Sequence, residues 1–288
     1  SDLLRHGDDS EDAWFDVEGG PFHWQRFHFD RVRARIHWLG EAKTVSLTNL
    51  AGRWCGADAA GWLQLDFSRP RGGTLALHAG VEGANLHAVV RDLRGGVSNR
   101  LEGTFRGELN ITEAFLDDPL SWQGNGKVEL KEGLIWDIPI FAVVSPMLNR
   151  VIPGLGQSRA REGRATCLIS NSVIRSDDLE IRASAMQLKY RGSVDFQGNL
   201  DALMEAELFR NVPALGMVLS KVLWPVTKLF EYRVGGTLNT PRLDERYFIP
   251  KLLLLPLQPV KTLKDLMGQE KPGEAAPSPA PTPPAPAP

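Results

Sequence analysis

The sequence predicts an α+β protein that is mostly β, built on a long curved antiparallel sheet, groove-like or β-taco-like, with two or three apolar helices. Three observations lead there. Apolar and charged residues alternate with period two over many short stretches, as they do on a half-buried strand. Many of the 28 glycines fall between those stretches, where the chain must turn. Two segments, residues 138–152 and 214–230, drop the alternation and carry apolar residues at helical spacing instead.

Residues 124–156 are the stretch around which the rest is organised. Val128 and Leu130 face one way, and Lys127, Glu129 and Lys131 the other. Glu132-Gly133 signals a turn, and Leu134, Ile135 and Trp136 restart an extended run. Asp137 is placed to cap a helix opening at Ile138-Pro139, where proline suits the first turn. That helix carries Ile140, Phe141, Val143, Val144, Met147, Leu148 and Val151. Pro146 interrupts it, and Pro153-Gly154 ends it.

In chain order, residues 1–20 read as a polar lead-in with a short apolar run at Trp14-Phe15. Residues 21–39 form a strand with Val32, Ala34, Ile36 and Trp38 on one face and Arg31, Arg33, Arg35 and His37 on the other. Further strands over 43–50, 51–57, 61–67 and 74–78 make an antiparallel meander. Leu86, Val89, Val90 and Leu93 recur at helical spacing. Strand periodicity returns over 101–111, with Phe105, Leu109 and Ile111 on one face.

Beyond Gly156, a polar loop over 157–163 leads to a strand over 165–174 and a turn at 175–178. Leu179, Ile181 and Ala183 then alternate with Glu180 and Arg182. Leu188, Tyr190, Val194 and Phe196 alternate with Lys189, Arg191, Ser193 and Asp195. Gly198-Asn199 makes a hairpin turn into a strand over 200–209. The second apolar helix follows, kinked at Pro225, and 231–239 is the last clear strand. Residues 251–268 are apolar and interrupted by prolines, suited to covering a sheet edge or lying on a bilayer surface. Residues 269–288 are rich in proline and alanine and cannot fold alone.

Composition narrows the function. A chain of 288 residues buries a sizeable core, and a net charge of −2 gives no pull toward nucleic acid. No secretory signal and no apolar run long enough to span a bilayer is present. The chain starts at Ser1, so a fragment is expected, the C-terminal part of a longer protein whose upstream part holds a membrane anchor or an export signal. Cys55 and Cys167 either pair or stay as buried thiols.

Catalytic signatures are missing: no G-x-S-x-G, H-E-x-x-H, G-x-x-x-x-G-K-[ST] or C-x-x-C. None of the six histidines, His6, His23, His28, His37, His78 and His87, forms a metal pair on one helix face. The acidic run from Asp8 to Asp16 lacks the glycine and closing Glu of a calcium loop. Asp177-Asp178 suits a turn for backbone reasons. Arg159, Arg161 and Arg164 suit a phosphate or lipid head group, or simply a solvated loop. A non-enzyme with no metal or cofactor is expected. What remains is strands with one apolar and one charged face, compatible with a filled core or with a face left open for acyl chains. A hydrolase or carbohydrate-binding β domain is a weaker third reading, disfavoured by the lack of a nucleophile or metal constellation, with Trp14, Trp24 or Trp62 placed to stack on sugar.

Four blocks carry a family resemblance. Gly124-x-Gly126-Lys-Val-Glu-Leu-Lys-Glu-Gly133-Leu-Ile-Trp136-Asp-Ile-Pro139 comes first, then Leu168-Ile-Ser-Asn-Ser-Val-Ile-Arg-Ser-Asp177-Asp178-Leu179. Tyr190-Arg-Gly192-Ser-Val194-Asp195-Phe196 and Tyr232-Arg-Val234-Gly-Gly236-Thr-Leu238-Asn-Thr-Pro241 follow. In order and spacing they resemble the AsmA-like C-terminal region of AsmA/TamB/YhdP-type envelope proteins. Ser172 stands where that family often has glycine, and Phe196 where leucine is usual.

The resemblance covers residues 85–250 and implies a periplasmic protein of diderm bacteria, held in the inner membrane by an N-terminal helix. Larger members resemble bridges whose hydrophobic groove passes phospholipid toward the outer membrane. The implied organisation is a β-repeat segment over 1–84 continuing a longer sheet, the AsmA-like region over 85–250, the apolar segment and the tail. The groove candidates are Val32, Ala34, Ile36, Trp38, Phe105, Leu109, Leu188, Tyr190, Val194 and Phe196. Expected partners are phospholipid acyl chains and an outer-membrane or other envelope protein. The alternative is a docking module of the envelope with a filled core and no lipid.

Overall fold

The structure, a computed structural model, describes residues 12–24, 27–69, 72–94, 100–151, 153–209 and 228–248. All of them belong to one unit, Ser1–Ile249. Fourteen strands among these residues form one long, open antiparallel sheet. They are β1 (Asp12–Gly19), β2 (Phe22–Trp24), β3 (Phe27–Leu39), β4 (Thr44–Trp54), β5 (Ala57–Asp66), β6 (Thr74–Asn85) and β7 (Glu102–Phe115). The rest are β8 (Asp118–Leu134), β9 (Ala160–Ser170), β10 (Val173–Ala183), β11 (Met186–Asp195), β12 (Leu200–Leu208), β13 (Lys228–Gly236) and β14 (Pro241–Phe248). Spatial order follows chain order, except that β1 and β2 both pair with β3. β6 reaches Asn85, pairing Ala84 with Phe105 and Asn85 with Thr104 of β7, and α1 begins at the next residue.

The meander follows from the alternation. Each strand has one apolar set of side chains, and antiparallel register places every set on the same side. Ile36 stands opposite Leu47, Leu47 opposite Leu63, Leu63 opposite Leu77, and Leu77 opposite Ile111. The opposite side is charged, with cross-strand pairs such as Arg35–Asp16, Arg31–Glu18, Arg164–Glu180 and Arg191–Glu205. Such exposed pairs are worth at most about 1 kcal/mol each, so burial of the apolar side is the main stabilising term.

Helical connections leave from one end of the strands. α1 (Leu86–Arg94) joins β6 to β7 and packs Val89 against Trp54, Ala57 and Ala84. Its helical spacing was legible, and Asn85 caps it, the Ala88 N–H donating to Asn85 Oδ1 at 3.0 Å. Arg94 at its far end donates to Asn239 Oδ1, at 3.1 Å, in the β13–β14 turn. Between β8 and β9, α2 (Pro139–Ala142), α3 (Ser145–Val151) and a 3-10 turn (Leu155–Gln157) bury Phe141, Val144, Leu148 and Leu155.

Several expectations need correction. The 138–152 helix is two short pieces, broken at Val143-Val144, with Pro146 in the first turn of α3. Ile138, not Asp137, is the N-cap, and its apolar side chain makes no cap bond; Asp137 accepts from Arg100 at 2.8 Å. Most of the 214–230 helix lies outside the described residues, and its last three positions, 228–230, are strand. The segments 251–268 and 269–288 lie outside them entirely.

Strand boundaries moved too. Residues 12–19 of the lead-in are a strand, β1, at the edge of the described sheet, and residues 1–11 lie outside the described residues. The pieces 43–50 and 51–57 are one strand up to Trp54, kinked at Asn49 with φ 52°, and the chain reverses at Cys55-Gly56. Glu132-Gly133 and residues 175–178 are irregularities inside β8 and β10 rather than turns. The 157–163 loop is strand from Ala160. The last strand of the sheet is β14, beyond the 231–239 segment.

Asn85→Ala should lower stability by about 1 kcal/mol, the usual value of an N-cap, read as a reduced urea midpoint with an unchanged slope.

Candidate functional site

The apolar side of the sheet is not filled evenly. Its residues form rows running across the strands. One row, Leu63, Leu77, Ile111, Gly124, Ile169 and Ile174, holds the fully buried Ile111. Ile111, Ala114 and Ile169 form a core cluster there, joined by Leu75, Leu77, Leu109, Trp122, Ile174 and Phe196. A second row, Ala84, Phe105, Leu130, Gly163, Ile181 and Leu188, lies under the helical end and is buried except at half-buried Phe105.

Between these flanks run two rows of mostly small residues. Gly52, Ala59, Val81, Gly107, Val128 and Ala165 are register partners from β4 to β9. Leu50, Gly61, Ala79, Leu109, Gly126 and Cys167 lie beside them. All are half-buried or exposed, and Val128 keeps 37% of its surface. Five strand steps at about 4.8 Å give this lane a length of about 24 Å. Space is tight along part of it: a Cβ at Gly126 would lie 2.9 Å from Cys167 Sγ.

All ten expected groove residues lie on the apolar side, but in different surroundings. Val32, Ala34, Ile36 and Trp38 sit on β3, where Ala34 is buried and Trp38 is 39% exposed. On β7, Leu109 lies in the lane and Phe105 borders it, against the α1 cluster. Leu188 and Tyr190 are core residues at 0% and 2% exposure. The Tyr190 hydroxyl donates to the Ile140 carbonyl at 3.0 Å, its ring meets Phe141 edge-on at 5.7 Å, and burial pushes its pKa up. Val194 and Phe196 are half-buried, Phe196 in the Ile111 cluster. β3, β7 and β11 are each four strands apart, so the ten residues form no single cluster.

Sequence reasoning missed Phe15 and Val17, which extend this face onto β1, and the small residues of the lane. Their signal was the same period-two alternation, hidden in β1 by its acidic residues.

Other candidate chemistry resolves into structure. Asp92 is buried on the inner face of α1, accepting from Trp54 Nε1 at 3.0 Å and Cys55 Sγ at 3.7 Å, with His28 Nδ1 3.6 Å away. Burial, then the Asp92 charge, pushes the Cys55 thiol up to about 12, so it stays protonated and is a poor nucleophile. Cys167 is a free thiol as well, so the two do not pair, and burial raises its pKa. No group of three or more His, Cys, Asp or Glu among the described residues is arranged to hold a metal ion. Arg159 donates to Glu102 and the Glu132 carbonyl, and Arg164 to Glu180. No helix among the described residues is long and apolar enough to cross a membrane.

Asp178 is a structural carboxylate within the β10 irregularity. It accepts from the Thr166 N–H at 2.7 Å and the Thr166 hydroxyl at 2.8 Å. Partial burial opposes its ionisation, but these donors and Ser176 outweigh that and hold its pKa below the ordinary 3.8.

No family model, curated protein or solved structure matches the chain.

A depressed folded-state pKa stabilises the protein above the ordinary carboxylate pKa, and that stability is lost as pH falls through the folded value. Asp178→Asn should therefore lower the urea midpoint at pH 7 and flatten its decline between pH 5 and pH 3. An acid limb identical to that of the parent would remove Asp178 from this role.

Proposed function

We propose that the chain is a lipid-handling protein of the bacterial envelope, not an enzyme, and that its apolar sheet face holds phospholipid acyl chains. The observation that carries this is the half-open lane of small residues between two more deeply buried flanks. Its length of about 24 Å exceeds that of one acyl chain, which spans about half of a ~30 Å bilayer core. Each CH₂ taken out of water gains about 0.8 kcal/mol, so a chain lying along the lane is held without any polar contact.

The finer reading of the fold is a curved sheet, groove-like or β-taco-like. The Arg94–Asn239 hydrogen bond supports curvature, since it joins α1 to a hairpin seven strands beyond β6. Seven strand steps at about 4.8 Å span about 34 Å of flat sheet, too far for one helix and an arginine side chain to bridge, so the bond requires the sheet to bend. The AsmA-like resemblance supports the same function. On it, the chain is the outer-membrane-facing part of a periplasmic, inner-membrane-anchored bridge that passes phospholipid.

One observation favours the docking module for part of the molecule. On β11–β13 the apolar side is filled, with Leu188, Met204, Tyr232 and Val234 fully buried. In this reading those strands form the closed end of the groove and its contact with an envelope protein.

Native mass spectrometry of the purified chain, after incubation with labelled phospholipid vesicles, tests the proposal. The parent chain should carry phospholipid. Val128→Asp should lose at least about tenfold in uptake, since a carboxylate facing an acyl chain is costly. Ala165→Phe, which fills the lane without adding charge, should reduce uptake as well. Circular dichroism should show both variants folded. No lipid on the parent chain, or uptake indifferent to both substitutions, would sink lipid carriage.

A further inference from the structure

The charged side of the sheet carries a second feature, independent of the apolar lane. Trp62, His78, Asn110, Asn125, Leu168 and Arg175 are successive register partners on β5 to β10, so they form one row across six strands. Five of them, from His78 to Arg175, line a depression of about 650 Å³.

The charged groups around this depression are already engaged. Lys127 pairs with Glu129 at 2.7 Å, Glu108 accepts from Arg106 at 3.1 Å, and Arg175 pairs with Asp177 at 3.1 Å. Asp178 is taken up by Thr166. By contrast, the side chains of His78, Asn110 and Asn125 make no hydrogen bond to any of the described residues. Two amides and an imidazole therefore stand free to donate and accept in the middle of the row, flanked by neutralised charges. Trp62 at one end and Leu168 at the other, 57% exposed, add apolar surface beside them.

We propose that this row binds a neutral oligosaccharide lying across the strands. Such a ligand offers what the row lacks: hydroxyls that donate and accept toward amides, and ring C–H faces that pack on an indole or an aliphatic side chain. Strands stand about 4.8 Å apart, close to the length of one pyranose unit, so successive sugars meet successive side chains. Paired charges select against an anionic chain, which would have to compete with Glu108, Asp177 and Asp178 for their partners.

The test is isothermal titration of the full chain with neutral tetrasaccharides, β-1,4-linked glucose and β-1,4-linked N-acetylglucosamine, with tetragalacturonate as the anionic comparison. A neutral tetrasaccharide should bind, and tetragalacturonate should not. Asn110→Ala and Asn125→Ala should each weaken binding by about three- to tenfold, the worth of one hydrogen bond. Trp62→Ala should weaken it comparably, while Trp14→Ala, on the same face but outside the row, should leave it unchanged. Both asparagines are partly or fully solvent-accessible, and urea melts should confirm that the variants fold. Binding of neither neutral sugar, preference for the anionic one, or affinity indifferent to both asparagines would overturn the proposal.

Discussion

The whole sheet depends on strand register. Over thirteen strands in line, every apolar set must face the same way, and a slip of one residue would exchange the two sides. In β3 such a slip would put Arg33, Arg35 and His37 where Ala34 and Ile36 now lie. The irregularities in the ladder respect that constraint. In β10, Ile174 and Ser176 face the apolar side, and so do Leu179 and Ile181, because the extra residue at 177–178 restores the phase. In β6, Val81 and Ala84 are reconciled by Gly83 at φ 78°. Bulges are where a strand of the wrong length is brought back into register, and here they sit between segments that each alternate cleanly.

Given that register, what the apolar side becomes depends on where the chain leaves the sheet. The helical connections depart from one end, so α1 and the α2–α3 pair cover that end and leave the middle of β4 to β9 less covered. Small residues there reduce the apolar area that water must meet, which moderates the cost of leaving the lane open. Tyr190 shows the opposite arrangement. Its ring packs on Phe141 and its hydroxyl reaches Ile140, so α2 is fastened to the sheet at that point and the surface beneath it is closed.

The sheet was legible in the sequence because period two survives every local irregularity, and α1 because nine residues suffice to show helical spacing. The misread turns share one cause. Residues that suit turns also suit bulges, since both need a positive φ or a side chain that satisfies stray backbone groups. Glu132, at φ 50°, and Asp178, accepting from the Thr166 backbone, serve strands that continue past them. β1 was hidden for a different reason: Asp16 and Glu18 look solvated locally but are partners of Arg35 and Arg31, far along the chain. The apolar faces of the ten groove candidates could be read, but not which would be covered. Trp38 and Leu188 look alike in their strands, yet Trp38 keeps 39% of its surface exposed and Leu188 none.

Period two also separates the two sides chemically. On β8, Gly124 and Gly126 belong to the apolar side, while Asn125 between them belongs to the polar row. On β7, Leu109 and Ile111 flank Asn110 in the same way. Adjacent residues therefore answer to different demands, packing on one side and hydrogen bonding on the other, and neither demand restricts the neighbour's side chain. The small residues that keep the apolar lane shallow bring the backbone within reach of both surfaces, which is why Gly126 and Cys167 border the polar depression from behind. A single layer of strands can thus present two unlike surfaces without a second domain, provided the register that separates them holds.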